Sequence, residues 1–337
     1  MKQPISIKRA VLHVLDTHSG MPVLSKGELE ISEDLVEYLG SHIDKVLEDS
    51  NTKSAVFTGE ENSIQLLCKL VNENEDEFLS ITAELAKKLF VLMQKNVDVP
   101  SADLVCCLAE IDRAKYLGIL KLNYKEGFTH WVHNAEEGSV NTIIRHQTLL
   151  PQVGQKLEEC ALIDLTDFSI RLIEKQFEIN GEKEFYLAKY FLQCSCQLSG
   201  NAKLKILNKV AKNINKKYFD EDFENILKLK KAVSESIEET SAIQIDQIAD
   251  KVYEKNRDIR REYVEEVAKA GIYEKEITLP DRLVEKKFRT HRIKTDTGIE
   301  IDFPLEYADN RDKIEFINNP DGTLSIVIKN IGRITNR

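Results

Sequence analysis

No run of apolar residues in this chain approaches the roughly 20 needed to cross a bilayer as a helix. The opening residues alternate apolar and polar like a strand and lack a signal-peptide core, so a cytoplasmic protein is expected. No internal repeat and no low-complexity stretch occurs, which excludes solenoids and tails built on biased composition. There is no phosphate-cradling glycine loop and no Gly-x-Ser-x-Gly elbow, so neither nucleotide-hydrolase nor serine-hydrolase chemistry is signalled. The six cysteines sit in apolar segments. Neither Cys106-Cys107 nor Cys194-Ser195-Cys196 has zinc-ligand spacing, so they read as small buried hydrophobes and no structural metal is expected. Positive charge is also in deficit: the formal net charge is −10. A protein that coats DNA by bulk charge is thereby excluded, and any nucleic-acid contact must come from local patches.

What is present is a soluble chain of 337 residues, 42% hydrophobic and 31% charged, enough for two or three domains. Residues 5–16 read as a strand. Ser32 is a candidate N-cap for a helix carrying Leu35, Leu39, Ile43, Val46 and Leu47. A second helix is expected near 74–95, and Pro100 stops it. Residues 104–108 and 116–122 are short apolar runs on either side of a polar link, which predicts two adjacent, well-buried strands. Further strands are expected at 127–133, 140–147 and 158–165. Helices are expected at 182–198, 202–219, 221–239, 243–255 and 257–270. The end returns to alternating strands at 288–295, 298–303, 313–317 and 323–329. The resulting expectation is an α+β fold: residues 1–180 an α+β domain with an antiparallel sheet, 181–280 a helical section and 281–337 a strand-rich section.

Against the acidic balance, residues 201–218 hold six lysines and no acid. At about 100° per residue, Lys205, Lys209, Lys212 and Lys216 fall on one narrow stripe of a helix, with Lys203 and Lys217 to its sides. Leu204, Leu207, Ala211, Ile214 and Tyr218 fall on the opposite face. Such a helix buries one side and presents positive charge on the other, to a polyanion or to acids nearby in space. From Lys205 to Lys216 the stripe covers about 16 Å of axis, enough to meet successive phosphates. A second basic cluster comprises Arg282, Lys286, Lys287, Arg289, His291, Arg292 and Lys294. On a strand, Arg289 and His291 share one face and Arg292 and Lys294 the other, which suits an edge strand guarded by charge as well as nucleic-acid contact. Arg257, Arg260 and Arg261 are followed by Glu262, Glu265 and Glu266, so local ion pairing is expected there.

Catalytic constellations are thin. His130 and His133 lie on opposite sides of a strand and cannot chelate one ion. Glu84-Leu85-Ala86-Lys87 mimics part of a nuclease pattern but lies in a helix. Glu110 and Asp112 with Lys121 could assemble a carboxylate–lysine metal site across a hairpin, although turns attract such residues anyway. Trp131, with Phe128 nearby, could stack a base, although burial in the sheet is the commoner use of tryptophan.

Three segments carry a resemblance: Ile7-Lys8-Arg9-Ala10-Val11-Leu12-His13, Tyr116-Leu117-Gly118-Ile119-Leu120-Lys121-Leu122-Asn123-Tyr124, and the run from His291 to Pro304 continuing at Asp321-Gly322-Thr323-Leu324-Ser325-Ile326. On these segments and the order of elements, nearly the whole chain resembles the bacterial 37-kDa nucleoid-associated protein family. The resemblance implies a cytoplasmic protein of the nucleoid that binds double-stranded DNA, in a family linked to topoisomerases. It carries over no residue-level DNA contacts, no catalytic residue, no cofactor and no metal. The expectation is therefore a non-enzymatic DNA-binding protein with weak sequence preference, acting through lysine–phosphate contacts. A homodimer would raise its avidity. The rival readings are an adaptor that recruits a DNA enzyme such as a topoisomerase, and a metal-dependent nuclease.

Overall fold

The computed structural model describes residues 4–333, apart from 97, 136–137, 180, 220–222, 241, 255, 280–289, 305–306, 308–309, 311 and 321–322. It divides into two compact units, Met1–Ser199 and Gly200–Arg337. The fold is mixed α+β.

The first unit opens with strand β1 (Ile5–Leu15). The Ser32 hydroxyl then accepts from the Leu35 N–H at 3.3 Å and starts α1 (Glu33–Glu48), as its sequence position predicts. Strand β2 (Lys53–Phe57) and α2 (Ser63–Glu73) follow, then α3 (Phe78–Gln94). Strands β3 (Ala102–Ile111) and β4 (Ala114–Asn123) form an antiparallel pair. The polar link between the two apolar runs is largely strand. The chain reverses only at Asp112 and Arg113, both left-handed with φ of 49° and 70°, as a tight two-residue hairpin turn requires. Strands β5 (Lys125–Ala135) and β6 (Gly138–Leu149) pair with each other. β7 (Glu159–Asp164), β8 (Ile170–Ile173), β9 (Phe177–Ile179), β10 (Glu182–Glu184) and β11 (Cys194–Cys196) complete the unit.

Seven of these strands build one antiparallel sheet in the order β1-β3-β4-β7-β8-β2-β11. Helices cover both faces, which explains why its central strands read as unbroken apolar runs. From β3, Leu104, Cys106 and Leu108 join Phe78, Leu85 and Leu89 of α3. The alternate residues Val105, Cys107 and Ala109 join Leu39, Ile43 and Val46 of α1. Gly118 is a point of close approach in that second layer: a Cβ there would stand 2.7 Å from Cys107 Sγ and 3.0 Å from Leu120 Cδ1.

The helix expected at 182–198 does not form. β10 occupies its start, a six-residue π-helical turn spans Leu187–Leu192, and Gln193 adopts left-handed geometry with φ 51°. Cys194–Cys196 then pairs with β2 at the sheet edge. The wide turn still buries Leu187, Ala188, Phe191 and Leu192, so the apolar spacing is satisfied without a regular helix.

The second unit begins with α4 (Gly200–Tyr218) and α5 (Phe223–Thr240). β12 (Ala242–Gln244), α6 (Ile245–Val252), α7 (Arg257–Lys269) and β13 (Glu276–Thr278) follow. Their shared core takes Leu207 and Ile214 from α4, Val233 from α5, Ile248 from α6 and Tyr263 from α7. Two hairpins end the described chain: β14 (Thr290–Lys294) with β15 (Glu300–Pro304), and β16 (Ile314–Asn318) with β17 (Leu324–Ile328).

Candidate nucleic-acid interface

Helix α4 buries Leu204, Leu207, Val210, Ala211 and Ile214 and leaves its lysine side outward. Lys205, Lys209, Lys212 and Lys216 are exposed along one line, spaced by three or four residues. Lys205, Lys209 and Lys212 make no ion pair among the described residues. Their flanks differ. Lys203 is half-buried and pairs with Glu274 at 3.1 Å. Lys217 pairs with Glu262 of α7 at 2.7 Å, and the Tyr218 hydroxyl donates to the same carboxylate at 2.6 Å. These two hydrogen bonds hold Glu262 below the ordinary carboxylate range, and the Glu262 contact raises Lys217. Tyr218 was expected on the buried face. It is exposed instead, because its hydroxyl reaches Glu262 rather than the core. The two terminal lysines also sit at the helix C-terminus, where the backbone dipole favours cations.

Beneath the stripe lies a cavity of about 240 Å³, lined by Lys212, Asn215, Leu229, Lys230 and Tyr253 among others. Burial pushes Lys230 below the usual lysine range. Near the C-terminal end of α4, Phe219 stacks on Tyr253 with centroids 6.4 Å apart. On the neighbouring helices, Lys251 binds Glu235 at 2.9 Å and Glu239 at 3.2 Å.

The second basic cluster is only partly described. Arg282, Lys286, Lys287 and Arg289 lie outside the described residues. On β14, Arg292 stands opposite Asp302, and Lys294 stands opposite Glu300, which it contacts at 3.0 Å. Two of the three arginines of the third cluster are ion-paired, one with a partner that sequence proximity did not indicate: Arg260 binds Asp250 of α6 at 2.7 Å, while Arg261 contacts Glu265 at 3.5 Å.

The arrangement of Glu110 and Asp112 with Lys121 is not assembled. In the antiparallel register Glu110 faces Lys115, while Lys121 faces Leu104 nearer the far end of the hairpin. Glu110 instead contacts Lys8 at 3.2 Å. Lys121 is buried and meets Glu159 and Asn123, each at 2.6 Å, and Tyr186 donates to Glu159. Burial pulls the Lys121 ammonium below the usual lysine range while Glu159 opposes the shift. The sequence signal for this network is a charge set against apolar neighbours in each strand, at Leu120-Lys121-Leu122 and at Glu159-Cys160-Ala161. Among the described residues no cluster of three or more His, Cys, Asp or Glu is placed to hold a metal. No helix among them is long and apolar enough to cross a membrane. Trp131, expected inside the sheet, is 58% exposed on β5, because β5 and β6 form a sheet of their own.

These features define an α+β protein of two units, one a helix-covered antiparallel sheet and the other a helical core presenting a lysine-lined face. A family model described as nucleoid-associated protein YejK matches residues 11–335, and the chain belongs to that family. A comparison with curated proteins gave no match.

Proposed function

We propose that this nucleoid-associated protein binds double-stranded DNA directly and without catalysis, through phosphate contacts from the exposed face of α4. The observation that carries the reading is the row Lys205, Lys209, Lys212 and Lys216, exposed on an acid-free helix of a chain with net charge −10. Three of the four make no ion pair among the described residues, so their mutual repulsion is offset when phosphates arrive. Lysine lacks the planar fork of arginine, so the contact gives affinity with weak sequence preference. A homodimer would join two stripes and raise avidity. The protein acts in the cytoplasm, at the nucleoid, with duplex DNA as its partner.

The test is reversal of all four lysines to glutamate in the full chain, read by gel shift on duplex DNA and by pull-down of topoisomerase. Lost DNA binding with the fold intact supports the reading. Unchanged DNA binding overturns it. Unchanged DNA retention with topoisomerase captured would make the chain an adaptor, and nicking of plasmid with Mg²⁺ or Mn²⁺ would make it a nuclease.

A further inference from the structure

Two of the six cysteines depart from the expectation of small buried hydrophobes. Cys68, Cys106, Cys107 and Cys160 are fully buried, and burial pushes all four thiols up, Cys68 and Cys107 to about 12. Cys194 and Cys196 are half-buried on β11, which ends the seven-stranded sheet and pairs there with β2. Residues two apart on a strand share a face, and the register adds Ala55 and Phe57 of β2 to that face, with Lys53 next along it. The two sulfurs stand 4.0 Å apart. They line an open cleft of about 430 Å³ together with Lys53, Glu174 and Phe185. Lys53 contacts Glu174 at 2.9 Å and lies over the Phe185 ring. The π-helical turn and left-handed Gln193 also line the cleft, irregular backbone of the kind that gathers at functional sites.

We propose that Cys194 and Cys196 form a reversible thiol–disulfide exchange site for small disulfides of the glutathione type. Same-face neighbours on a strand have Cα atoms about 6.6 Å apart, within the roughly 4.4–6.8 Å that a disulfide spans. Closing the sulfurs from 4.0 Å to about 2.05 Å bends only a three-residue edge strand. The Cys194 thiol donates to Cys196, which lowers Cys196 and raises Cys194. The Lys53 ammonium also favours thiolate, and the Glu174 carboxylate opposes it. The Cys196 thiolate attacks one sulfur of the disulfide RSSR, forming a mixed disulfide and releasing RS⁻. Cys194 then gives up its proton and attacks Cys196 Sγ, which closes the Cys194–Cys196 bond and expels the second RS⁻. The two thiol protons end on the two released thiolates, so the pair loses two electrons and RSSR gains them. So short a loop removes little chain entropy, which makes the bond labile rather than structural. Among the described residues no set of three or more His, Cys, Asp or Glu is placed to make the pair a metal centre. The exchange is independent of the DNA reading, since none of its readouts involves DNA.

The test exposes the reduced full chain, natively folded, to oxidised glutathione, quenches with acid and alkylates the remaining thiols after unfolding. Mass spectrometry should find four of the six thiols free, with the cross-link inside the tryptic peptide Tyr190–Lys203, which holds both cysteines. The cross-link should form at least about tenfold faster than any of the four buried thiols is lost, and dithiothreitol should reverse it. Cys194→Ser should instead accumulate one glutathione at Cys196, because the resolving thiol is gone. The wild-type measurement stands without that variant. Six free thiols after exposure overturn the proposal, as does wild type that keeps a bound glutathione and forms no cross-link. One equivalent of Zn²⁺ retained by the reduced wild type and lost in Cys194→Ser overturns it in favour of a metal centre.

Discussion

Lys121 Nζ lies 2.6 Å from Glu159 Oε2 on the neighbouring strand, with 2% and 0% of the two side chains exposed. The ammonium also donates to Asn123, and Tyr186 donates to the second carboxylate oxygen. A buried pair of this kind costs desolvation on both sides and is repaid only while every partner is present. Lys121→Met leaves the Glu159 carboxylate buried with two neutral donors, and should destabilise the first unit by about 3–5 kcal/mol. Lys121→Met with Glu159→Gln removes both charges and should be the more stable of the two variants. Urea unfolding compares them, and a double variant weaker than the single one would show that the carboxylate does not need its cation.

Gly118 predicts a packing effect with a built-in rescue. Gly118→Ala places a methyl 2.7 Å from Cys107 Sγ in the layer between the sheet and α1, and should cost about 1–3 kcal/mol. Adding Cys107→Ala removes the colliding sulfur. The double variant should therefore recover part of the loss in thermal melting, and strict additivity would mean that the strain lies against Leu120 instead.

Which parts of this architecture could be read from the chain depends on whether the cause was local. Ser32, the apolar period of α1 and the acid-free α4 are local, and the structure places them as the sequence implies. Strands β3 and β4 were legible because helices on both faces turn an alternating pattern into a continuous one. Residues 182–198 were misread because the deciding partner, β2, lies about 140 residues earlier, and nothing near Cys194 announces pairing with Phe57. Trp131 failed for the opposite reason. Its strand is regular, but β5 and β6 form a sheet of their own, and apolar content alone does not say what covers a residue. At α4 the period correctly placed the stripe outward. Only three-dimensional proximity reveals that Lys203 and Lys217 are held by Glu274 and Glu262.

That difference among the lysines predicts a salt dependence. Each phosphate neutralised on duplex DNA contributes about −0.9 to the slope of log affinity against log salt. Four stripe lysines at four phosphates give roughly −3.6 per copy. Lys209→Gln should flatten the slope by roughly 0.9, whereas Lys217→Gln should change it little, since Glu262 already holds that ammonium. Fluorescence anisotropy from low to moderate salt measures both. Equal flattening by the two variants would assign the contact to the whole basic helix rather than to the stripe.

His13 predicts acid sensitivity of the first unit. Its side chain is buried, and Nδ1 accepts from the Ser25 N–H at 3.1 Å. An imidazolium carries a proton on Nδ1, so charging this ring sets two donors against each other in a buried site. Burial accordingly lowers its pKa from the ordinary histidine value of 6.5, and burial lowers that of His42 as well. The sign follows from linkage. Above 6.5 the ring is neutral in both states and carries no penalty. As pH falls below 6.5 the unfolded chain takes up the proton and the native state does not, so stability is lost until the lowered native value is reached. The loss should approach about 1.4 kcal/mol per pH unit for each such ring within that window. His13→Asn keeps a side-chain acceptor for Ser25 and removes the titration. Between pH 7.5 and 5.5 this variant should lose less melting temperature than the wild type, with His42 supplying the remaining slope. Parallel melting curves across that range would mean that His13 is protonated equally in both states, and that its hydrogen bond to Ser25 does not hold the ring neutral.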